Sequence, residues 1–175
     1  MTRLFAISGS LREKSTNKML LERLKRFAEV DLYDRLGELP HFNPDVEETA
    51  PPPLALDLRA RVGAADALVI SSPEYAHGVP GSMKNALDWL VGGPEMVGKT
   101  VALINGSPRS THAQMQLKET IRTMSANVVA DARWLRKRPI SPTKTIRIRL
   151  TLELSGGCRY RVILAQTVTA VRLNE

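Results

Sequence analysis

A chain of 175 residues with 43% hydrophobic and 25% charged residues has the composition of a soluble globular protein and the length of one domain with a substantial core. Its apolar runs are far too short to span a bilayer, and the N-terminal Met1-Thr-Arg-Leu-Phe-Ala-Ile7 reads as a strand and not as a signal peptide, so no membrane partner is expected and a cytoplasmic location is. The net charge of +7 is no general nucleic-acid signature, because residues 134–175 hold nine basic residues against Glu153 and Glu175, which leaves residues 1–133 neutral.

The first predicted strand is Arg3–Ser8. Gly9-Ser-Leu-Arg-Glu-Lys-Ser-Thr-Asn17 follows, then a helix with Leu20, Leu21, Leu24, Phe27 and Ala28 inward. Ser15, Thr16 and Asn17 cluster where an N-cap is wanted. Free N–H groups, the hydroxyls of Ser10, Ser15 and Thr16, the Asn17 amide and the Arg12 guanidinium make this loop an anion seat. A simple capped helix gives the same local pattern. Neither the Walker loop nor Gly-x-Gly-x-x-Gly is present.

Val30–Tyr33 is the second strand. The acidic, Pro-rich segment Asp45–Pro53 reads as a solvated loop, and Ala55–Ala65 as a helix with Leu58 and Val62 inward. Ala67–Ile70 is a buried strand. The loop after it is stiffened by Pro73 and Pro80 and loosened by Gly78 and Gly81, and is either a ligand loop or an ordinary surface turn. From Ser82 the pattern is helical, with Met83, Ala86, Leu87 and Leu90 on one face. Thr100–Ile104 is the fourth strand and Asn105–Arg109 its carboxyl-end loop. His112–Met124 is helical with Met115, Ile121 and Met124 inward, and Asn127–Ala130 begins a fifth strand. This βαβαβαβαβ order predicts a doubly wound parallel α/β sheet.

Gly9-Ser-Leu-Arg-x-x-Ser-x-Asn17 followed by Pro73-Glu-Tyr75, Pro80-Gly81 and Lys84-Asn-Ala-Leu-Asp-Trp89 resembles the NADPH-dependent FMN reductase family over residues 1–133. The resemblance implies a flavodoxin-like doubly wound five-stranded parallel sheet. It implies an FMN-dependent NAD(P)H oxidoreductase that takes electrons from NADPH and passes them, in ping-pong order, to quinone, free flavin or another small oxidant. It assigns the FMN phosphate to Ser10, Arg12, Ser15 and Asn17. The flavin ring goes to Pro73, Glu74 and Tyr75, with a backbone contact from Gly78. Asn105, Gly106, Ser107 and Arg109 close over the ring. Ala76-His77-Gly78 stands where many members have Asn-x-Ser.

FMN at the switch between strands one and three agrees with the loops singled out above. Because the cofactor carries the hydride chemistry, no catalytic triad is expected. The competing reading is a flavodoxin-like FMN-binding electron carrier or regulatory module without efficient NAD(P)H oxidation. Tyr75 either stacks near the flavin or packs against a neighbouring subunit, and His77 either steers substrate or a proton or is incidental. Lys84, Asn85 and Asp88 suit a helix abutting a partner, as the resemblance implies a homodimer or homotetramer through residues 82–90. Trp89 is then interface or core.

The basic extension 134–175 departs from the family pattern. Ile146, Ile148, Leu150, Leu152 and Leu154 alternate with polar residues, Ser155-Gly-Gly157 is a turn, and Tyr160–Leu173 is again β-rich, so a hairpin replaces the expected last helix. Either this hairpin covers the sheet or pairs with another chain, or the segment arises from a shifted reading frame. No recognition motif accompanies its charge, and nucleic acid is not an expected partner. The single cysteine, Cys158, excludes an intrachain disulfide, and one Cys with three His makes no metal-ligand cluster, so no structural zinc is expected.

Overall fold

A computed structural model describes residues 2–107 and 109–129, together with the backbone of 152–153 and 159–160. Five parallel strands, β1 (Arg3–Ser8), β2 (Glu29–Tyr33), β3 (Ala67–Ser71), β4 (Thr100–Ile104) and β5 (Asn127–Val129), form one sheet in the order β2-β1-β3-β4-β5. This is the flavodoxin-like order, and its direction reverses between β1 and β3. Leu4 to Ser8 stand in register with Ala67 to Ser71, so both strands end level at the carboxyl edge. β3 and β4 are buried at every position, as central strands covered on both faces must be.

Strand alternation divides the core in two. Phe5, Ile7, Leu68, Ile70, Val101 and Leu103 face α3 (Pro53–Ala64), α4 (Gly81–Val91) and α5 (His112–Thr123). Leu4, Ala6, Ala67, Val69, Ala102 and Ile104 face α1 (Thr16–Arg23), which packs there with Leu20 and Leu21 and with Leu24 just beyond its end. On α4 the predicted stripe Met83, Ala86, Leu87 and Leu90 is fully buried, and so is Trp89. The Trp89 ring meets Phe42 edge-on at 5.0 Å and its Nε1–H donates to the Pro40 carbonyl at 2.8 Å, which makes it a core residue. Asn85 is also used within the chain. Its Oδ1 accepts from Phe42 N at 2.8 Å and its Nδ2 donates to Pro40 O at 2.9 Å. Lys84 and Asp88 pair with each other one turn apart.

Three expectations need correcting. The acidic stretch is solvated but a loop only over 50–52: α2 (Pro44–Thr49) forms before it, because Asn43 caps it through Asp45 N, Pro44 pre-sets its first turn and Glu47 pairs with Arg59 of α3. Met115 is exposed, lying across α5 from the buried Ala113, Leu117 and Ile121. Phe27 is half-buried, because α1 stops at Arg23 and a 3₁₀ turn over Leu24–Arg26 leads into β2. Of the extension, Leu152–Glu153 pairs antiparallel with Arg159–Tyr160. The rest of the expected hairpin, the final residue of the fifth strand and Cys158 lie outside the described residues.

Candidate functional site

Three loops leave the carboxyl edge side by side, after β1, β3 and β4, because those strands are neighbours in the sheet. The first crosses onto the third strand at once. Gly9 N donates to Ser71 O at 2.9 Å, and a Cβ on Gly9 would stand 2.4 Å from Ser72 Oγ and 2.9 Å from Ser72 Cβ. Glycine alone permits that approach. Ser15 caps α1, its Oγ accepting from Lys18 N at 3.2 Å. The Thr16 and Asn17 amides have no acceptor among the described residues. Asn17 is buried, and its Oδ1 accepts from Ser71 Oγ at 2.9 Å.

The loop after β4 is held by its own side chains and by backbone bonds from Ser110 N to Ser107 O at 3.1 Å and from Thr111 N to Arg109 O at 3.0 Å. Asn105 Nδ2 donates to Ser110 O at 2.8 Å and its Oδ1 accepts from Ser107 N at 2.9 Å. Gly106 lies against α1, where a Cβ would meet Asn17 Oδ1 at 2.7 Å.

The loop after β3 turns back on itself. Tyr75 and Gly78 exchange backbone hydrogen bonds of 3.1 and 2.8 Å around Ala76 (φ 48°) and His77 (φ 59°), both left-handed. Positive φ at both central residues is a type I′ turn, built here without its usual Asn or Gly. Glu74 fastens this loop to α5. One carboxylate oxygen accepts from Ala113 N at 2.9 Å and the other lies 3.2 Å from His77 Nδ1. Val79 N adds a bond to Gln116 Oε1 at 3.0 Å. His77 in turn packs edge-on against His112, the first residue of α5, with ring centroids 4.5 Å apart.

Between the loops lies a cavity of about 320 Å³ lined by Asn17, Ser72, Pro73, Glu74, Gly106, Ser107, Arg109 and Ser110, a size in the range of small-molecule sites. The structure therefore brings together Asn17 from the first turn of α1, Pro73 and Glu74 from the loop after β3, and Gly106, Ser107 and Arg109 from the loop after β4. Ser10, Arg12, Ser15, Tyr75, Gly78 and Asn105 stand outside its lining. Ser15 and Asn105 act as cap and loop staple, and Tyr75 is 53% exposed. Ser72 and Ser110 went unnoticed in the sequence. Their signal is positional: Ser72 is the first residue past β3, and Ser110 closes the loop that Asn105 staples.

The family model of the NADPH-dependent FMN reductases matches residues 2–138. The chain belongs to this family. It is 34% identical over 128 residues to an NAD(P)H-dependent FMN reductase of Pseudomonas aeruginosa, covering 68% of this chain and 69% of that one. It is 35% identical over 106 residues to a quinone reductase of Escherichia coli, covering 57% and 56%. The chain thus spans little more than half the length of the Escherichia coli relative. Among solved structures, a flavoenzyme NAD(P)H:(acceptor) oxidoreductase of Paracoccus denitrificans superposes with a TM-score of 0.67 at 32% identity, covering 74% of this chain and 76% of that one. The expected flavodoxin-like fold, and an oxidoreductase family that uses FMN and NAD(P)H, agree with these findings. Among the described residues no helix is long and apolar enough to cross a membrane.

In this FMN reductase family member, Glu74 carries the clearest electrostatic signature of the site. The Ala113 N–H bond first, then the His77 bond and the His112 charge, hold its carboxyl below the ordinary value of 4.5, against the opposing effect of burial. A carboxylate lowered by folding contributes stability that is fully present above the unfolded value and is lost as pH falls through the folded one. Thermal melts of the native protein and Glu74→Gln should therefore differ fully above pH 4.5 and converge in more acid solution. A difference independent of pH would contradict this role.

Proposed function

We propose that the protein is an FMN-dependent NAD(P)H oxidoreductase of the cytoplasm, passing two electrons from NADPH to quinone, free flavin or another small oxidant. The observation that carries this reading is the cavity beside the β1/β3 switch, walled by Asn17 in the first turn of α1 and by the loops after β3 and β4. The residues fit the cofactor on structural grounds. Gly9 and Gly106 keep the walls close together where any side chain would collide, and the Thr16 and Asn17 amides at the start of α1 point their donors outward.

Ser10, Arg12, Ser15 and Asn17 would hold the phosphate. Pro73, Glu74, Tyr75 and Gly78 would border one side of the ring, and Asn105, Gly106 and Ser107 the other. Bound FMN supplies reversible two-electron chemistry. The chain's own part is positional. Pro73 stiffens one wall, Asn105 fixes the loop of the other, and Glu74 locks the β3–α4 loop to α5. One slot serving donor and oxidant in turn gives ping-pong order. Association through α4 would use its outward residues Lys84 and Val91, both exposed in the single chain.

The test is the visible spectrum of the purified protein, before and after addition of FMN and then of NADPH under nitrogen. A bound yellow flavin that bleaches with NADPH supports the reductase. Bound flavin bleached by dithionite and not by NADPH would favour the FMN-binding electron carrier, and failure to take up FMN would overturn both.

A further inference from the structure

We infer that Glu74, His77 and His112 form a binding site for a divalent transition-metal ion at the rim of the cavity. One donor atom from each lies within 4.8 Å of the other two. The chain has three histidines, and folding brings two of them to this point from positions 35 residues apart, beside a carboxylate. Glu74 and His77 are already 3.2 Å apart, close to the donor spacing that metal bonds of about 2.1 Å require. His112 approaches by a small side-chain rotation, since both imidazoles are exposed.

Glu74 is anchored from behind, and the two histidines are placed by their backbone. The Ala113 N–H bond fixes one Glu74 oxygen and leaves the other turned to His77, the kind of outer bond that orients a ligating carboxylate. The type I′ turn holds His77 over Glu74 even though Ala76 and His77 must both adopt left-handed backbone. His112 begins α5 and is held by the helix itself. Two imidazoles and one carboxylate select zinc, nickel or copper over magnesium or calcium. Three protein ligands at an exposed rim leave a coordination position open to solvent or substrate. The positive end of α5 faces the same point and weakens a cation's hold, so affinity is set by the Glu74 charge together with the two rings. An ion here would bridge the β3–α4 loop and α5 across the Glu74 wall of the cavity.

The inference is independent of flavin binding and is tested on the full chain, with Co²⁺ as a spectroscopic probe and Zn²⁺ as its competitor. One Co²⁺ per chain should give a visible ligand-field band that Zn²⁺ abolishes, and Zn²⁺ should raise the melting temperature. His77→Ala and His112→Ala should each weaken Co²⁺ by about tenfold or more. Glu74→Gln, which keeps an acceptor for Ala113 N, should weaken it as well. His41→Ala and Cys158→Ser should leave it unchanged. The absence of any Co²⁺ band at millimolar metal would overturn the site, and so would binding that survives loss of both rim histidines.

Discussion

Trp89→Ala is expected to lower the unfolding free energy by about 3–5 kcal/mol, the range for emptying a fully buried aromatic position. The side chain has no exposed surface, and the substitution removes its edge-on contact with Phe42 as well as its packing between α4 and the 39–42 segment. Against a total stability of about 5–15 kcal/mol for a domain, that loss is severe. Trp89→Phe separates packing from hydrogen bonding. Pro40 O keeps its bond from Asn85 Nδ2, so the carbonyl is not orphaned and the smaller ring should recover most of the loss. Denaturant unfolding curves decide it. A Trp89→Ala protein within about 1 kcal/mol of the native one would show that the pocket collapses freely.

Gly9→Ala is the largest effect expected at the site. The added methyl meets Ser72 Oγ first, which can rotate away, but then Ser72 Cβ at 2.9 Å and Cα at 3.2 Å, which cannot. Either the first loop or the third must shift. Overpacking of this kind destabilises by about 1–3 kcal/mol, and FMN affinity, which would depend on the spacing of the same loops, should fall by about tenfold to a hundredfold. Gly81→Ala is the matched control. Nothing lies within 4 Å of a Cβ there, so neither stability nor FMN binding should drop. Denaturant unfolding follows the stability and fluorescence titration with FMN the affinity, and equal affinities for the two variants would contradict the close-approach role of Gly9.

The parts of this molecule legible in the sequence are those decided locally. β1, β3 and β4 announce themselves because strands buried on both faces are continuous apolar runs, and the α4 stripe because Met83, Ala86, Leu87 and Leu90 repeat at helical spacing. What escaped depends on contacts between distant segments or on helical phase. α2 has no apolar face of its own. It is held from outside by Glu47 to Arg59, although Asn43-Pro44-Asp45 was a readable start signal. The apolar chemistry of Met115 suggests an inward position, whereas the phase set by Ala113, Leu117 and Ile121 puts it two residues, or about 200°, round the helix. The site divides the same way. Gly106 and Ser107 line the cavity because they follow the end of β4, and Asn17 because it opens the helix after β1, positions that the strand–loop–helix order makes readable. The turn of Glu74 toward α5 could not be read, nor could the meeting of His77 with His112, since the first needs the loop packed and the second needs a left-handed turn at residues with no glycine to signal it.

The bond from Gly9 to Ser71 extends the β1–β3 ladder by one rung past the last paired residues, into the segment that begins the β1–α1 loop. The loop that leads to α1 and to Asn17 of the cavity is thus not hinged onto the sheet but continuous with it. A loop attached in this way has little freedom to breathe by itself. Widening the slot on that side means unzipping the two central strands, which are the last part of such a sheet to exchange their amide protons with solvent. A cofactor bound against this loop would then leave at a pace governed by the opening of the fold's most protected layer, while the β3–α4 and β4–α5 walls, whose backbone bonds stay within each loop or its helix, would be the side through which smaller molecules come and go.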